Sequence, residues 1–134
     1  MGLEPPATEN ATDQLAKKVI FVVDDEVEIG LLITDLIHQH TPHQAHHHLT
    51  GSQALQAATT HTPHLLILDF DLPDMSGLEL HDKLHMLEHL RNVPTLLISA
   101  IKPPLHEIRK RTITFLSKPF DLMELLHTIT KLLA

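Results

Sequence analysis

Short, unbroken apolar runs alternate along this chain with stretches whose apolar residues recur every three to four positions. Val19-Ile20-Phe21-Val22-Val23 is rich in β-branched residues and ends at Asp24-Asp25-Glu26. An unbroken run suits a strand covered on both faces, as in a parallel sheet, better than a strand with one wet face. Residues 65–68 and 93–98 read the same way and end at Asp69 and Ser99. Residues 113–116 form a fifth short run before Ser117-Lys118-Pro119. Residues 44–49 make the weakest strand, because His46-His47-His48 is not an obvious core sequence.

The intervening stretches read as helices. Ile29, Leu32, Ile33, Leu36 and Ile37 share one helical stripe, closed by Thr41-Pro42. Ser52 is placed to cap a second helix carrying Ala54, Leu55, Ala57 and Ala58, broken at Pro63. A third helix is expected over 78–91, with Leu80, Leu84 and Leu87 on one face. Pro103-Pro104 delay the fourth, leaving only 105–111. The fifth begins near Asp121 and presents Leu122, Leu125, Leu126, Ile129, Leu132 and Leu133, with Met123 off that stripe. Strands joined through helical crossovers predict an α/β domain with a five-stranded parallel sheet and helices on both faces.

The length of 134 residues is room for one domain. Residues 1–16 read as a flexible polar lead-in and 17–134 as the domain. No run of apolar residues is long enough to span a bilayer, and the start lacks a signal-peptide core. A net charge of -7 opposes contact with a phosphate backbone, and 3% aromatics without Trp or Tyr leave no platform for stacking bases. Without cysteine there is no disulfide framework, thiolate metal site or thiol nucleophile, which fits a cytoplasmic location.

Thirteen histidines make the charge sensitive to pH near neutrality. His81, His85 and His89 recur every four residues, as on one helix flank, and His46-His47-His48 follow His38, His40 and His43. Such pairs can hold Zn²⁺ or Ni²⁺. With no cysteine nearby, the simpler reading is a solvated polar face.

The polar residues at the strand ends carry the chemistry. Asp24-Asp25 follow the first strand, Asp69 the third, Ser99 the fourth and Lys118 the fifth. Open α/β sheets bind ligands at that edge. Converging carboxylates repel one another unless a cation neutralises them, and an all-oxygen set suits a hard ion such as Mg²⁺. A lysine and a serine at the same edge can grip the oxygens of a phosphoryl group. The pattern reads as a carboxylate nucleophile, a metal and two phosphoryl-gripping groups.

These motifs, together with Leu66-Ile67-Leu68-Asp69-Phe70-Asp71-Leu72-Pro73-Asp74-Met75-Ser76-Gly77, Leu97-Ile98-Ser99-Ala100 and Lys118-Pro119-Phe120, resemble the receiver domain of two-component response regulators. The resemblance implies a doubly wound, flavodoxin-like (CheY-like) sheet of order 2-1-3-4-5. It implies Asp69 as phosphoacceptor, Asp24 and Asp25 as the acidic pair for Mg²⁺, and Asp71 as the donor of a backbone carbonyl to the metal. Ser99 matches the switch hydroxyl and Ala100 the small residue beside it. Lys118 matches the phosphate-pairing lysine, Pro119 the cis position and Phe115 the switch aromatic. The implied donor is a phosphohistidine on a sensor histidine kinase or a histidine phosphotransfer protein, with the output partner unspecified. The implied activity is that of a signalling phosphoacceptor, self-catalysing only its own phosphorylation and dephosphorylation.

Two departures bear on output. The stretch from Ser99 to Lys118 is shorter than usual, and Arg111-Thr112-Ile113-Thr114 replaces the Gly-Ala pair usual before strand five. A shortened fourth helix is expected, on the face receivers commonly use to dimerise or to dock outputs. The chain also ends with the last helix, which leaves open a stand-alone receiver or a segment of a longer regulator. Residues 66–71 resemble, in addition, the nucleophile motif of haloacid-dehalogenase-type phosphatases. That family places its nucleophile motif first and its acidic pair last, the reverse of the order here. A receiver-like binding module that is never phosphorylated is the third reading, opposed by the complete Asp/Ser/Lys set.

Overall fold

The computed structural model describes residues 17–134; the expected lead-in over 1–16 lies outside the described residues. Five strands, β1 (Val19–Val23), β2 (Gln44–His48), β3 (Leu65–Asp69), β4 (Thr95–Ser99) and β5 (Thr114–Ser117), form one sheet of order β2-β1-β3-β4-β5. Every pairing is parallel. The crossovers are α1 (Val27–His40), α2 (Gly51–Ala57), α3 (Gly77–His85) and α4 (Leu105–Lys110), and α5 (Leu122–Leu133) closes the chain.

The sheet divides one core into two. Phe21, Val23, Leu66, Leu68 and Leu97 face α2, α3 and α4, while Ile20, Val22, Leu65, Ile67, Leu96 and Ile98 face α1 and α5. Successive residues point to opposite faces, so both halves of each unbroken run are buried. β3 and β4 are buried along their whole length.

Several local expectations shift. The second helix is capped by Thr50 rather than Ser52: the Thr50 hydroxyl accepts the Gln53 N–H at 3.1 Å. The third helix stops at His85, and a single 3₁₀ turn, Glu88–Leu90, follows. The helical period continues through Leu87, but turning early brings Leu90 into the core. His89 therefore leaves the flank it was expected to share, and its ring reaches the Ala58 carbonyl at 3.0 Å. His89 stays exposed, but the other two do not form a solvated face. His81 is buried, and the His85 ring spans the carbonyls of His81 and Val93 at 2.7 and 2.8 Å. Leu32 and Leu122, expected on buried stripes, are exposed.

The fourth helix is short, as expected, with six residues. The Ile113 N–H returns to the Ile108 carbonyl at 3.1 Å, closing the helix with Thr112 at φ 58°. That left-handed position ordinarily takes glycine. Arg111 braces the same corner. It makes two 2.8 Å bonds to the Asp82 carboxylate on α3, and one of 2.6 Å to Glu107 on α4.

Candidate functional site

Parallel strands carry their C-terminal residues to one edge of the sheet, and there the structure gathers the expected side chains. Asp24 sits one residue beyond β1, Asp69 and Ser99 end β3 and β4, and Lys118 follows β5. Asp24, Asp69 and Ser99 are buried, whereas Asp25 is exposed. One oxygen each from Asp24, Asp25 and Asp69 lies within 4.8 Å of the others. Asp25, Asp69, Asp71, Ser99, Ala100 and Lys118 line a cleft of about 240 Å³.

The Lys118 ammonium is the hub. It donates to Asp24 Oδ2 at 2.9 Å, Glu26 Oε1 at 3.0 Å and Asp69 Oδ2 at 3.3 Å. Burial works against its charge, but the hydrogen bonds to Asp24 and Glu26, together with the charges of Asp24 and Asp69, outweigh burial and hold its pKa above the ordinary lysine range. The Lys118–Pro119 peptide is cis.

Asp69 shows the opposite balance. Burial, and then the charge of Asp24, push its carboxyl up to about 6. The Asp71 N–H, bonded to Asp69 Oδ1 at 3.2 Å, and the Lys118 charge only partly offset this. The two buried carboxylates among the three that share this ammonium leave repulsion that a divalent cation would relieve. The all-oxygen donors and the open cleft fit a small hard ion that keeps some of its waters.

Local sequence explains how the corner is built. Ser76 caps α3 by accepting the Glu79 N–H at 3.1 Å, and the Gly77 N–H bonds the Phe70 carbonyl at 2.8 Å. A Cβ on Gly77 would run into the Asp69 carbonyl and the Leu97 side chain, so only glycine lets α3 start this close to the end of β3. The loop between them is tethered by Asp74, whose carboxylate takes the Gly51 and Ser52 N–H groups at 3.0 and 2.9 Å. The Ser99 hydroxyl accepts the Ile101 N–H at 3.0 Å. Phe115 lies further off, on β5 opposite Leu97, half-buried against the core on the α2–α4 side.

Sequence reasoning passed over Glu26 and Asp74. Glu26 directly follows the acidic pair, and its position was the available signal. Asp74 gave none, because its partners are more than twenty residues away in the chain.

The fold and this edge define a doubly wound α/β domain with an acidic, lysine-bridged pocket at its ligand-binding end. The model of the response regulator receiver domain matches residues 20–130, and the chain belongs to that family. The polar-differentiation response regulator DivK of Brucella ovis is 31% identical over 118 residues, covering 86% of this chain and 94% of DivK. In fold the chain is similar to the chemotaxis protein CheY4 of Vibrio cholerae, with a TM-score of 0.81 at 23% identity over 87% of this chain and 99% of that one. A CheY-like receiver domain protein from Methanospirillum hungatei superposes with a TM-score of 0.77 at 24% identity, over 87% and 93% of the two chains.

Proposed function

We propose that residues 17–134 act as one phosphoacceptor unit, taking a phosphoryl group from a phosphohistidine onto Asp69. The observation that carries this reading is the buried Asp69 carboxylate lining the cleft, with Asp24, Asp25 and Lys118 around it. Asp69 attacks phosphorus as the P–N bond to the donor imidazole breaks. The departing ring nitrogen keeps the bonding pair and takes up a proton. Little protein covalent chemistry is required, so positioning and charge neutralisation carry the catalysis.

Asp25, Asp69, the Asp71 carbonyl and, through water, Asp24 would hold Mg²⁺, which supplies positive charge against the incoming phosphoryl oxygens. Lys118 exchanges its carboxylate partners for one of those oxygens, and Ser99 donates its hydroxyl to another. Ala100 leaves room beside them. Withdrawal of Ser99 toward the phosphoryl group opens space for Phe115 to turn inward, which changes the face made by α4, β5 and α5. The donor is a sensor histidine kinase or a histidine phosphotransfer protein. The output partner meets the α4–β5–α5 face, where a homodimer would also form. The domain is a stoichiometric acceptor rather than a turnover enzyme.

Intact mass after treatment with acetyl phosphate or phosphoramidate tests this. Wild type with Mg²⁺ gains one phosphoryl group, while Asp69→Asn, or wild type without Mg²⁺, gains none. Lys118→Ala still accepts the group but no longer passes the change to Phe115. An unchanged wild-type mass sinks the proposal, and sustained turnover of small phosphomonoesters replaces it with the phosphatase reading.

A further inference from the structure

The middle histidine of the three on β2 has a place of its own. β2 is an edge strand, and His46 and His48 turn toward Phe21, with ring centroids 5.9 and 4.8 Å from it. His47 turns to the opposite face and lies across Gly30 of α1. Gly30 is a buried glycine inside a helix, where alanine is ordinarily preferred. A Cβ there would strike three atoms of the His47 imidazole, so the glycine is the seat of that ring.

From this seat His47 Nε2 stands 2.9 Å from the Asp24 carbonyl oxygen. A carbonyl only accepts, so Nε2 carries the hydrogen. The Asp24 N–H is already paired with the His48 carbonyl at 3.1 Å. Asp24 Oδ1 takes the Glu26 N–H at 2.9 Å, and Oδ2 takes Lys118. The His47 bond therefore completes the anchoring of Asp24 on its backbone side.

That carbonyl belongs to the peptide unit joining Asp24 to Asp25. Because the unit is planar and rigid, fixing its oxygen fixes the direction in which both α-carbons leave it. We infer that His47, seated on Gly30, is a positioning residue that holds the Asp24–Asp25 peptide so that both carboxylates face the divalent cation. The inference rests on the proposed Mg²⁺ site. His47 touches neither cation nor phosphoryl group, and acts through the peptide alone.

Mg²⁺ titration by calorimetry at pH 7.5, with thermal unfolding run alongside, separates this from simple packing. His47→Ala raises the Mg²⁺ Kd about fivefold, the size of one net hydrogen bond. His47→Gln, which keeps an N–H of similar reach, stays within about twofold of wild type on the same scale. Gly30→Ala evicts the ring and reproduces the loss seen in His47→Ala. In a His47→Ala background it adds nothing further, since both changes remove the same bond. If a folded His47→Ala or Gly30→Ala protein binds Mg²⁺ like wild type, or if the two losses add, the inference fails while the site reading stands. Wild type that binds no Mg²⁺ overturns both. Should His47→Ala not fold, Gly30→Ala and His47→Gln decide the matter in the same way.

Discussion

Two groups of carboxylates in this molecule each gather around one cation, with opposite results. At the sheet edge, Asp24, Glu26 and Asp69 share Lys118, and Asp69 is pushed up to about 6. Between α3 and α4, Asp82 and Glu107 share Arg111, and Asp82 is pulled down to about 2, chiefly by the Arg111 hydrogen bonds. Burial separates the two cases. The Asp24 and Asp69 side chains are 4% and 6% exposed, so removal from water costs more than one ammonium returns. The Asp82 side chain is 49% exposed and receives a planar guanidinium fork, which suits a carboxylate better than a point charge does. One group keeps electrostatic repulsion in reserve for a ligand, and the other has its charges satisfied and serves the fold.

The largest effect follows from removing the shared ammonium. Lys118→Met leaves two buried carboxylates without their partner and lowers stability by about 3 kcal/mol in urea unfolding at neutral pH. Mg²⁺ restores part of the loss, and no loss in that assay would mean the site carries no charge tension.

Asp69→Asn acts in the other direction, raising stability above pH 6 by on the order of 2 kcal/mol in Mg²⁺-free buffer. The sign follows from the raised carboxyl. Wild-type Asp69 keeps its proton in the folded state up to about 6, whereas the unfolded chain releases it near the ordinary aspartate value of 3.8. Its favourable contribution is full below the unfolded value and is lost as pH rises through about 6. Urea midpoints of the two proteins, taken across that range, should converge on the acid side and separate on the alkaline side.

Arg111→Ala costs about 1 kcal/mol at pH 7, a surface-scale loss. The pH dependence is reversed here. Asp82 contributes above its unfolded carboxylate value, and that contribution disappears as pH falls through about 2. Midpoints for Arg111→Ala and wild type should therefore merge only in strong acid.

The smallest change is Thr112→Gly, which relieves a β-branched residue at φ 58° and raises stability by about 0.5 kcal/mol after the glycine entropy cost, read as a slightly higher Tm. A lower Tm would mean the Arg111 brace depends on Thr112 itself.

Legibility in the sequence followed the range of the interactions. The unbroken runs at 19–23 and 65–68 predicted two-sided burial because strand alternation is local, and the strand-end carboxylates followed from that. Pro103-Pro104 foretold the short α4 for the same reason. What stayed hidden depends on partners distant in the chain. The early end of α3 needed Leu90 to reach the core, and the Asp74 tether needed the α2 N-terminus. Three consecutive histidines look alike in sequence; strand alternation separates His47 from its neighbours, but only pairing with β1 fixes which face each one meets. Ser52 has the residue type of a cap, but Asp74, distant in the chain, engages its hydroxyl at 2.8 Å, and the cap falls to Thr50 two residues earlier.

The brevity of α4 has a consequence for how this domain would be read by others. Six residues are too few for a helix to sustain itself, so its order is lent by Ile108 in the core and by the Arg111 clasp. Amide hydrogens there should exchange with solvent well ahead of those in β3 and β4. A recognising surface built on such a segment conveys its message by how firmly it is folded, more than by how far it travels.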